Sequence, residues 1–570
     1  MTIRERYQEW LKLAVDDADL QEELRRISGD DSELEDRFAR ELEFGTAGLR
    51  GIIGAGSFRM NIYTVRRATQ GLADYVKTQS GPLSVAIAYD SRIKSDLFAQ
   101  EAAAVLAANG ITAYLFPELA PTPLLSFAVR ELHAQGGINI TASHNPSQYN
   151  GYKVYGPDGC QMTDEAAGAV LQNIGKWDFF HIPVVSFEEG IRTGKIVMIG
   201  KEVGERYLDC VQRQCVNPEL AAQSGLKVIY TPLNGAGNHY VRAILERIGI
   251  RDVTVVPEQE NPDGRFPTCP YPNPEIKQVF ECGLKLAEKI EPDLLLATDP
   301  DSDRVGIAVR EAEDYRLFTG NEVGVLLLQY LLSQRAEKGT MPDRPLTVKT
   351  IVSTPLVYPI AERYGVAVKD VLTGFKYIGE QIGLLERQHC AERYVFGFEE
   401  SYGYLAGTYV RDKDAVVASM LICEMAAYYK TKGKSLVDAL EDLYREYGYY
   451  LNSTDNFQCE GIAGMEKMQE IMDGLRADRP KEINGAAVVR YADYLKSVSY
   501  DCRTGAVSPI SLPKSNVLSY TLSDGATVII RPSGTEPKIK VYVAARGSSK
   551  EEARELSEGH RRAVTALLGF

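Results

Sequence analysis

Gly137-Ile138-Asn139-Ile140-Thr141-Ala142-Ser143-His144-Asn145-Pro146 is the stretch on which the reading of this chain turns. Residues 137–140 are a short, mostly apolar run, the pattern of a buried strand. The small and polar residues that follow, closed by a proline that forbids simple helix continuation, read as an exposed reactive loop. Ser143 then sits at the carboxyl end of a strand, where open α/β sheets place their ligands. A serine in a turn is usually no more than a backbone hydrogen-bond partner, so its chemistry depends on what surrounds it.

Working outward, Ser84-Val85-Ala86-Ile87-Ala88-Tyr89 reads as a strand. Asp90-Ser91-Arg92 opens a helix through Ala104-Val105-Leu106, and the Ser143 strand follows. The same order recurs from Leu226-Lys227-Val228-Ile229-Tyr230, through the glycines of Asn234-Gly235-Ala236-Gly237 and a helix near 241–245, to Asp293-Leu294-Leu295-Leu296-Ala297. It appears a third time from Leu346-Thr347-Val348-Lys349-Thr350-Ile351-Val352, through Ser353-Thr354-Pro355, to Tyr394-Val395-Phe396-Gly397. Three related α/β units are expected, each ending its second strand in an unusual loop. Residues 446–570 differ, with a hairpin from Ala526-Thr527-Val528-Ile529-Ile530 and Lys538-Ile539-Lys540-Val541-Tyr542-Val543 before a last helix, which predicts a smaller α+β domain.

The 570 residues far exceed one hydrophobic core, and about 150 residues per domain gives roughly four domains. With 44% hydrophobic and 25% charged residues, and no apolar run near the ~20 residues a membrane span needs, no membrane partner is expected. The first residues run straight into a charged amphipathic helix around Trp10, Leu11 and Leu13, without the apolar core of a signal peptide. Nine cysteines stand singly, with no C-x-x-C pair, which fits a reducing cytoplasm. The net charge of −14 argues against nucleic acid as partner but leaves room for a local basic pocket that holds a small phosphate.

Four loops carry the remaining signal. In Asp299-Pro300-Asp301-Ser302-Asp303-Arg304, carboxylates at every second position would repel one another in a shared pocket unless a hard divalent cation joined them. A calcium-binding EF-hand is excluded, because its sixth-position glycine and twelfth-position glutamate are here Arg304 and Arg310. Arg531-Pro532-Ser533-Gly534-Thr535 joins a guanidinium, two hydroxyls and glycine-freed N–H groups, the ingredients of a phosphate cradle. Gly397-Phe398-Glu399-Glu400-Ser401-Tyr402-Gly403 sets carboxylates and a hydroxyl beside aromatic rings, suited to sugar hydroxyls. Nearer the start, Phe44-Gly45-Thr46-Ala47-Gly48-Leu49-Arg50-Gly51 offers tight backbone approach and the Arg50 fork. Gly433-Lys434-Ser435 ends like a nucleotide-binding P-loop, but Tyr428 stands where the required earlier glycine would be.

Together these loops resemble the α-D-phosphohexomutase family, the phosphoglucomutases and phosphomannomutases, whose serine, metal, sugar and phosphate loops occur here in family order from Gly45 to Val543. The resemblance implies three α/β domains (1–203, with the phosphoserine loop; 204–313, metal-binding; 314–445, sugar-binding) and an α+β phosphate-binding domain (446–570) around a central cleft. It implies Ser143 as phosphoryl carrier and, with Asp299, Asp301 and Asp303, as a Mg²⁺ ligand. Arg50, Lys153 and Arg304 would lie beside that phosphate, Thr373, Gly374, Glu399 and Ser401 would meet the sugar, and Arg531, Ser533, Gly534 and Thr535 would hold the second phosphate. His144, Lys153 and Lys413 are the candidate proton acceptors, although Lys413 in Arg411-Asp412-Lys413-Asp414 reads equally as part of a solvated charge run.

Moving a phosphate between the ends of a sugar with one serine requires a bisphosphate that turns around, so glucose 1,6-bisphosphate is the expected activator and glucose 1-phosphate the first-choice substrate. Phe398 and Tyr402 depart from the commonest glucose-type sugar loop, which keeps pentose and mannose phosphates as alternatives. A phosphatase, in which water attacks the phosphoserine, and a non-catalytic phosphosugar-binding protein are the rivals from other classes.

Overall fold

The computed structural model describes residues 1–570 apart from 46–47, 460–462 and 534–537. Its first three sheets share one plan. In the first, Ser84–Tyr89 lies between Thr112–Leu115 and Gly136–Ile140, both parallel to it, and Gly136–Ile140 turns back into antiparallel Tyr149–Tyr155. In the second, Lys227–Thr231 lies between Asp252–Val255 and Leu294–Thr298, and the latter turns back into Val305–Glu311. In the third, Leu346–Thr350 lies between Ala367–Val371 and Tyr394–Glu399, and the return strand is Gly403–Ala406.

Parallel neighbours require crossovers, and helices supply them: Ser95–Ala108 and Thr122–Glu131 in the first unit, Gly237–Arg247 and Glu281–Ile290 in the second, Val357–Arg363 and Phe375–Arg387 in the third. The strands that precede the return loops are buried along their whole length, as sheets covered on both faces require. That is why their sequences are nearly unbroken apolar runs. Each unit also has an outer parallel strand that the sequence reading passed over. Asp252–Val255 and Ala367–Val371 are short edge strands, half-exposed over much of their length, and Thr112–Leu115, paired on its outer side with Ile196–Met198, is four residues long with alternating burial, so none carries a continuous apolar signal.

Every return loop turns through one non-glycine residue in the left-handed region: Ser143 (φ 51°), Ser302 (φ 51°) and Tyr402 (φ 67°). The three loops are thus built alike, at the carboxyl ends of three equivalent strands.

The C-terminal sheet contains the expected hairpin, Thr527–Pro532 with Lys538–Gly547, in which Arg531 lies opposite Lys540. Tyr449–Gln458 pairs with the outer side of Lys538–Gly547, and the helix Lys550–Leu568 packs on the sheet. At the other end of the chain, the helices Ile3–Leu13, Ala18–Arg26 and Asp31–Phe38 begin at capping residues Thr2, Asp17 and Asp30. They dock through buried Trp10, whose ring packs 5.2 to 6.0 Å from those of Phe38, Tyr63, Phe179 and Phe180. Leu11 and Leu13 are only half-buried, so the amphipathic face centres on Trp10. All nine cysteines are unpaired. Among the described residues no helix is long and apolar enough to cross a membrane.

The apolar core is divided unequally. One cluster closes within residues 7–196, whereas another runs from the first unit through the second and third, from Ala86 to Leu443. The C-terminal sheet has its own cluster and meets the third unit through a small patch of Val352, Val517, Ile529 and Tyr542.

Candidate active site

The metal loop is the turn between Leu294–Thr298 and Val305–Glu311. It folds so tightly that the Asp299 carboxylate accepts the N–H groups of Asp303 (3.1 Å) and Arg304 (3.0 Å). Gly235 makes room behind it, since a Cβ there would stand 2.4 Å from the Pro300 Cα and 2.6 Å from its carbonyl oxygen. The result is convergence: one carboxylate oxygen from each of Asp299, Asp301 and Asp303 lies within 4.8 Å of the others, and all three residues are buried.

Charge compensation comes from three directions. Lys153, on the return strand of the first sheet, places its ammonium 2.7 Å from Asp301 and 3.6 Å from Asp303. Lys413 reaches Asp303 at 3.1 Å, and Arg304 approaches it at 3.9 Å while pairing with Glu275 at 2.6 Å. Burial pushes the Asp299 carboxyl well above the ordinary range, and its two neighbours add to this. Burial would raise Asp301 too, but Lys153 and the Thr122 hydroxyl hold it down. Asp301 Oδ1 and Asp303 Oδ1 are buried with no hydrogen-bond partner. Converging carboxylates with orphaned oxygens are the donor set of a hard divalent cation.

The serine loop meets this cluster directly. Ser143 Oγ donates to Asp299 Oδ2 at 2.9 Å and lies 3.1 Å from His144 Nδ1. The expectation of an exposed loop is corrected here: Ser143 is only 3% exposed, because the metal loop of the second unit covers it. Burial, followed by Arg304 and Arg50, holds the His144 ring well below the usual histidine range, so it is neutral at pH 7. Arg50 stands at the rim and donates to Asn145 Oδ1 at 3.1 Å.

The charge run around Lys413 is not a solvated face. Arg411, Asp412, Lys413 and Asp414 are all buried. Asp412 accepts the Tyr155 hydroxyl at 2.8 Å, and Asp414 accepts that of Tyr207 at 2.8 Å. Asp414 also caps the helix Ala415–Thr431 by taking the N–H groups of Val416 and Val417. Ala415 N–H donates to Ser302 O, so this helix begins against the metal loop, with Lys413 just before it. Burial pulls Lys413 down, but Asp303, Asp412 and Glu399 outweigh it and the net shift is upward.

Opposite lies a cleft of ≈ 840 Å³ lined by His144, Arg304, Thr373, Gly374, Glu399, Glu400, Ser401, Lys413, Arg531 and Lys540 among others. Glu399 accepts the Gly374 N–H at 2.8 Å, which joins two of the expected sugar-contacting stretches. Phe398 points away from the cleft, stacked between Phe396 and Tyr404, whereas Tyr402 lines it. Of the two departures in the sugar loop, only Tyr402 can reach a ligand. On the C-terminal sheet, Arg531 and Lys540 stand side by side. Burial and then neighbouring Lys538 draw Lys540 below the ordinary lysine range. Two cations so placed favour an anion. Ser533 adjoins them, and the expected Gly534 and Thr535 lie outside the described residues.

Several residues of the site were not singled out from sequence. Thr122 Oγ1 donates to Asp301 Oδ2 at 2.8 Å, its N–H donates to Asp301 O at 2.8 Å, and Asn139 Nδ2 supports its hydroxyl at 2.7 Å. Thr122 begins a crossover helix, and only the tertiary fold brings it to the second unit's loop. Glu275, Lys540 and the Asp90–Arg92 pair behind Ser143 belong here too. For Asp90 and Arg92 a signal existed, since they follow the central strand Ser84–Tyr89 at its carboxyl end.

Two outcomes follow from this geometry. Thr122→Val keeps the shape but removes the hydroxyl that orients Asp301, so divalent-cation affinity should fall about 10- to 100-fold, measured by metal titration of activity and by calorimetry. Burial, then Glu399, pushes the Glu400 carboxyl up to about 7. The folded state therefore holds that proton more tightly than the unfolded chain. Its contribution is most favourable at low pH and is lost as pH rises from the ordinary carboxylate range toward about 7. Thermal melts of the wild type should drop relative to Glu400→Gln across that window, and parallel curves would refute the shift.

Comparison with known proteins agrees along most of the chain. Four consecutive segments match the phosphoglucomutase/phosphomannomutase alpha/beta/alpha domain I (41–181), domain II (205–312), domain III (319–447) and C-terminal domain (456–558). The chain is 38% identical over 518 residues to a phosphoglucomutase of Staphylococcus aureus strain MSSA476, covering 90% of this chain and 91% of that protein. It is 39% identical, with the same coverage, to that of strain USA300. Two solved structures share the fold. A phosphoglucomutase/phosphomannomutase family protein of Burkholderia thailandensis superposes with TM-score 0.67 at 17% identity over 92% of this chain and 97% of its own. The open form of parafusin, a phosphoglucomutase of Paramecium, gives 0.68 at 16% identity over 93% and 95%. The chain belongs to the phosphoglucomutase/phosphomannomutase family of phosphosugar mutases.

Proposed function

We propose that this protein interconverts α-D-glucose 1-phosphate and glucose 6-phosphate through a phosphoserine at Ser143 and a glucose 1,6-bisphosphate intermediate. The observation that carries the reading is the 2.9 Å contact between Ser143 Oγ and Asp299 within the buried carboxylate triad. The names of the Staphylococcus aureus relatives support glucose as substrate. The family description also covers mannose phosphates, and a pentose phosphate would use the same chemistry.

In this reading the segments 1–203, 204–313, 314–445 and 446–570 are the four domains, and each contributes one loop. Asp299, Asp301, Asp303 and the serine oxygen would hold Mg²⁺, which when bound draws charge from the phosphoryl oxygens. Arg304 and Arg50 flank the phosphate at Ser143 and stabilise the charge that spreads over its oxygens during transfer. When the free serine attacks the bisphosphate, its proton has an acceptor in reach in the neutral His144 ring, whose Nδ1 lies 3.1 Å from Ser143 Oγ. Glu399, Ser401, Thr373 and Gly374 meet the sugar, with Lys413 beside them. Arg531, Ser533, Gly534 and Thr535, joined by Lys540, hold the phosphate that is not being transferred. The bisphosphate then turns, so that the two phosphates exchange places between Ser143 and Arg531. Withdrawal of Ser143 from solvent favours transfer to sugar over hydrolysis.

Peptide mass mapping after incubation with glucose 1,6-bisphosphate should find phosphate on Ser143, and Ser143→Ala should be inactive. A Ser143 peptide that never gains phosphate would remove it as the carrier. Arg531→Ala should weaken glucose 1-phosphate binding on the order of 10- to 150-fold, the loss of a charge-assisted hydrogen bond, yet leave Ser143 open to phosphorylation at high bisphosphate. Coupled assays across glucose, mannose and ribose 1-phosphates rank the substrates, and faster turnover of ribose 1-phosphate would overturn the glucose assignment.

A further inference from the structure

Ser143 holds a left-handed backbone conformation (φ 51°) that a residue with a Cβ seldom adopts, so something must impose it. The constraint comes from below the loop. The Arg92 side chain is fully buried, and its four terminal N–H groups are divided among four backbone carbonyls of the serine loop. Nη1 donates to Pro146 O (2.9 Å) and Tyr149 O (3.0 Å), and Nη2 donates to Ser143 O and Asn145 O. Asp90 secures this guanidinium, with Oδ2 3.4 Å from Arg92 Nε and Oδ1 accepting the Arg92 N–H at 3.0 Å. The same carboxylate accepts the Thr141 hydroxyl at 2.6 Å, and Thr141 Oγ1 accepts the Ser143 N–H at 2.8 Å. Both peptide groups of Ser143 are therefore tied to one buried ion pair, the N–H through Thr141 and Asp90, the carbonyl through Arg92.

Neither Asp90 nor Arg92 lines the central cleft. On its far side the pair rests on the second unit, where Arg92 bridges to Gly264 and its guanidinium stacks 5.1 Å from the Phe266 ring centre. The metal loop belongs to that same unit. The arrangement ties the reacting oxygen to the unit that carries the carboxylates, without touching substrate.

We propose that Arg92, held by Asp90, is a positioning residue that fixes Ser143 Oγ for phosphoryl transfer. The proposal rests on the reading of Ser143 as phosphoryl carrier. Geometry requires arginine, because a lysine would offer three donors from a single point and could not span four carbonyls.

The test compares wild type, Arg92→Lys, Arg92→Ala and Asp90→Asn by thermal melting, steady-state kinetics with glucose 1-phosphate, and single-turnover transfer from glucose 1,6-bisphosphate to Ser143. A misplaced nucleophile should slow transfer on the order of 100-fold in the folded Arg92 variants, while KM moves less than about threefold. Added guanidinium should restore part of the rate in Arg92→Ala but not in Asp90→Asn. Wild-type transfer in folded Arg92→Lys, or a KM that rises as far as kcat falls, would overturn the proposal. Loss of the melting transition in Arg92→Lys and Asp90→Asn alike would overturn it as well, by making the pair purely structural. Absence of phosphate on wild-type Ser143 would instead overturn the reading beneath it, and the two failures are told apart by the wild-type sample alone.

Discussion

Three carboxylates buried within 4.8 Å of one another are the constraint to which the rest of the molecule answers. At an effective dielectric constant of about 20, each pair of like charges at that separation costs about 3 to 4 kcal/mol. Three pairs together come to about 10 kcal/mol, comparable to the whole stability of a typical domain. The fold cannot leave such a cluster uncompensated. Its counter-charges come from different parts of the chain: Lys153 on the first sheet, Lys413 ahead of the Ala415–Thr431 helix, and Arg304 on the metal loop itself. Compensation is thus also cross-linking, since none of the three units can move away without exposing a charge imbalance.

The repetition of one strand plan explains how the loops find each other. In each unit the strand before the loop is central and buried, so its carboxyl end is fixed, and a left-handed residue turns the chain straight back into an antiparallel neighbour. Equivalent scaffolds then deliver unlike chemistry to one cleft: a hydroxyl at Ser143, carboxylates at Asp299 to Asp303, and hydrogen-bonding groups at Glu399 and Ser401.

Those loops were legible in the sequence for a physical reason. Strands covered on both faces produce apolar runs such as Leu294-Leu295-Leu296-Ala297, and polar residues that interrupt such a run at its end stand out. The edge strands were missed because half-exposed backbone has no such pattern, as in Asp252–Val255. Groups that act across units were equally hidden. Thr122 is an ordinary helix start until Asp301 comes beside it, and the burial of Ser143 follows from a loop more than 150 residues away. The run from Arg411 to Asp414 reads as surface in one dimension and is buried in three, because its partners Tyr155, Tyr207 and Asp303 are distant in sequence.

The unequal division of the apolar core has a consequence for how the protein is born. One side of the first sheet can close as soon as Ile196 has been made, for its cluster draws only on residues 7–196. The other side cannot. Leu124, Leu125 and Phe127 of the Thr122–Glu131 helix pack into a cluster whose last members, Leu440 and Leu443, lie far downstream. A nascent chain therefore carries a first unit whose second flank is covered only in stages, first by Tyr207, Val228 and Val241 and last by Leu440 and Leu443.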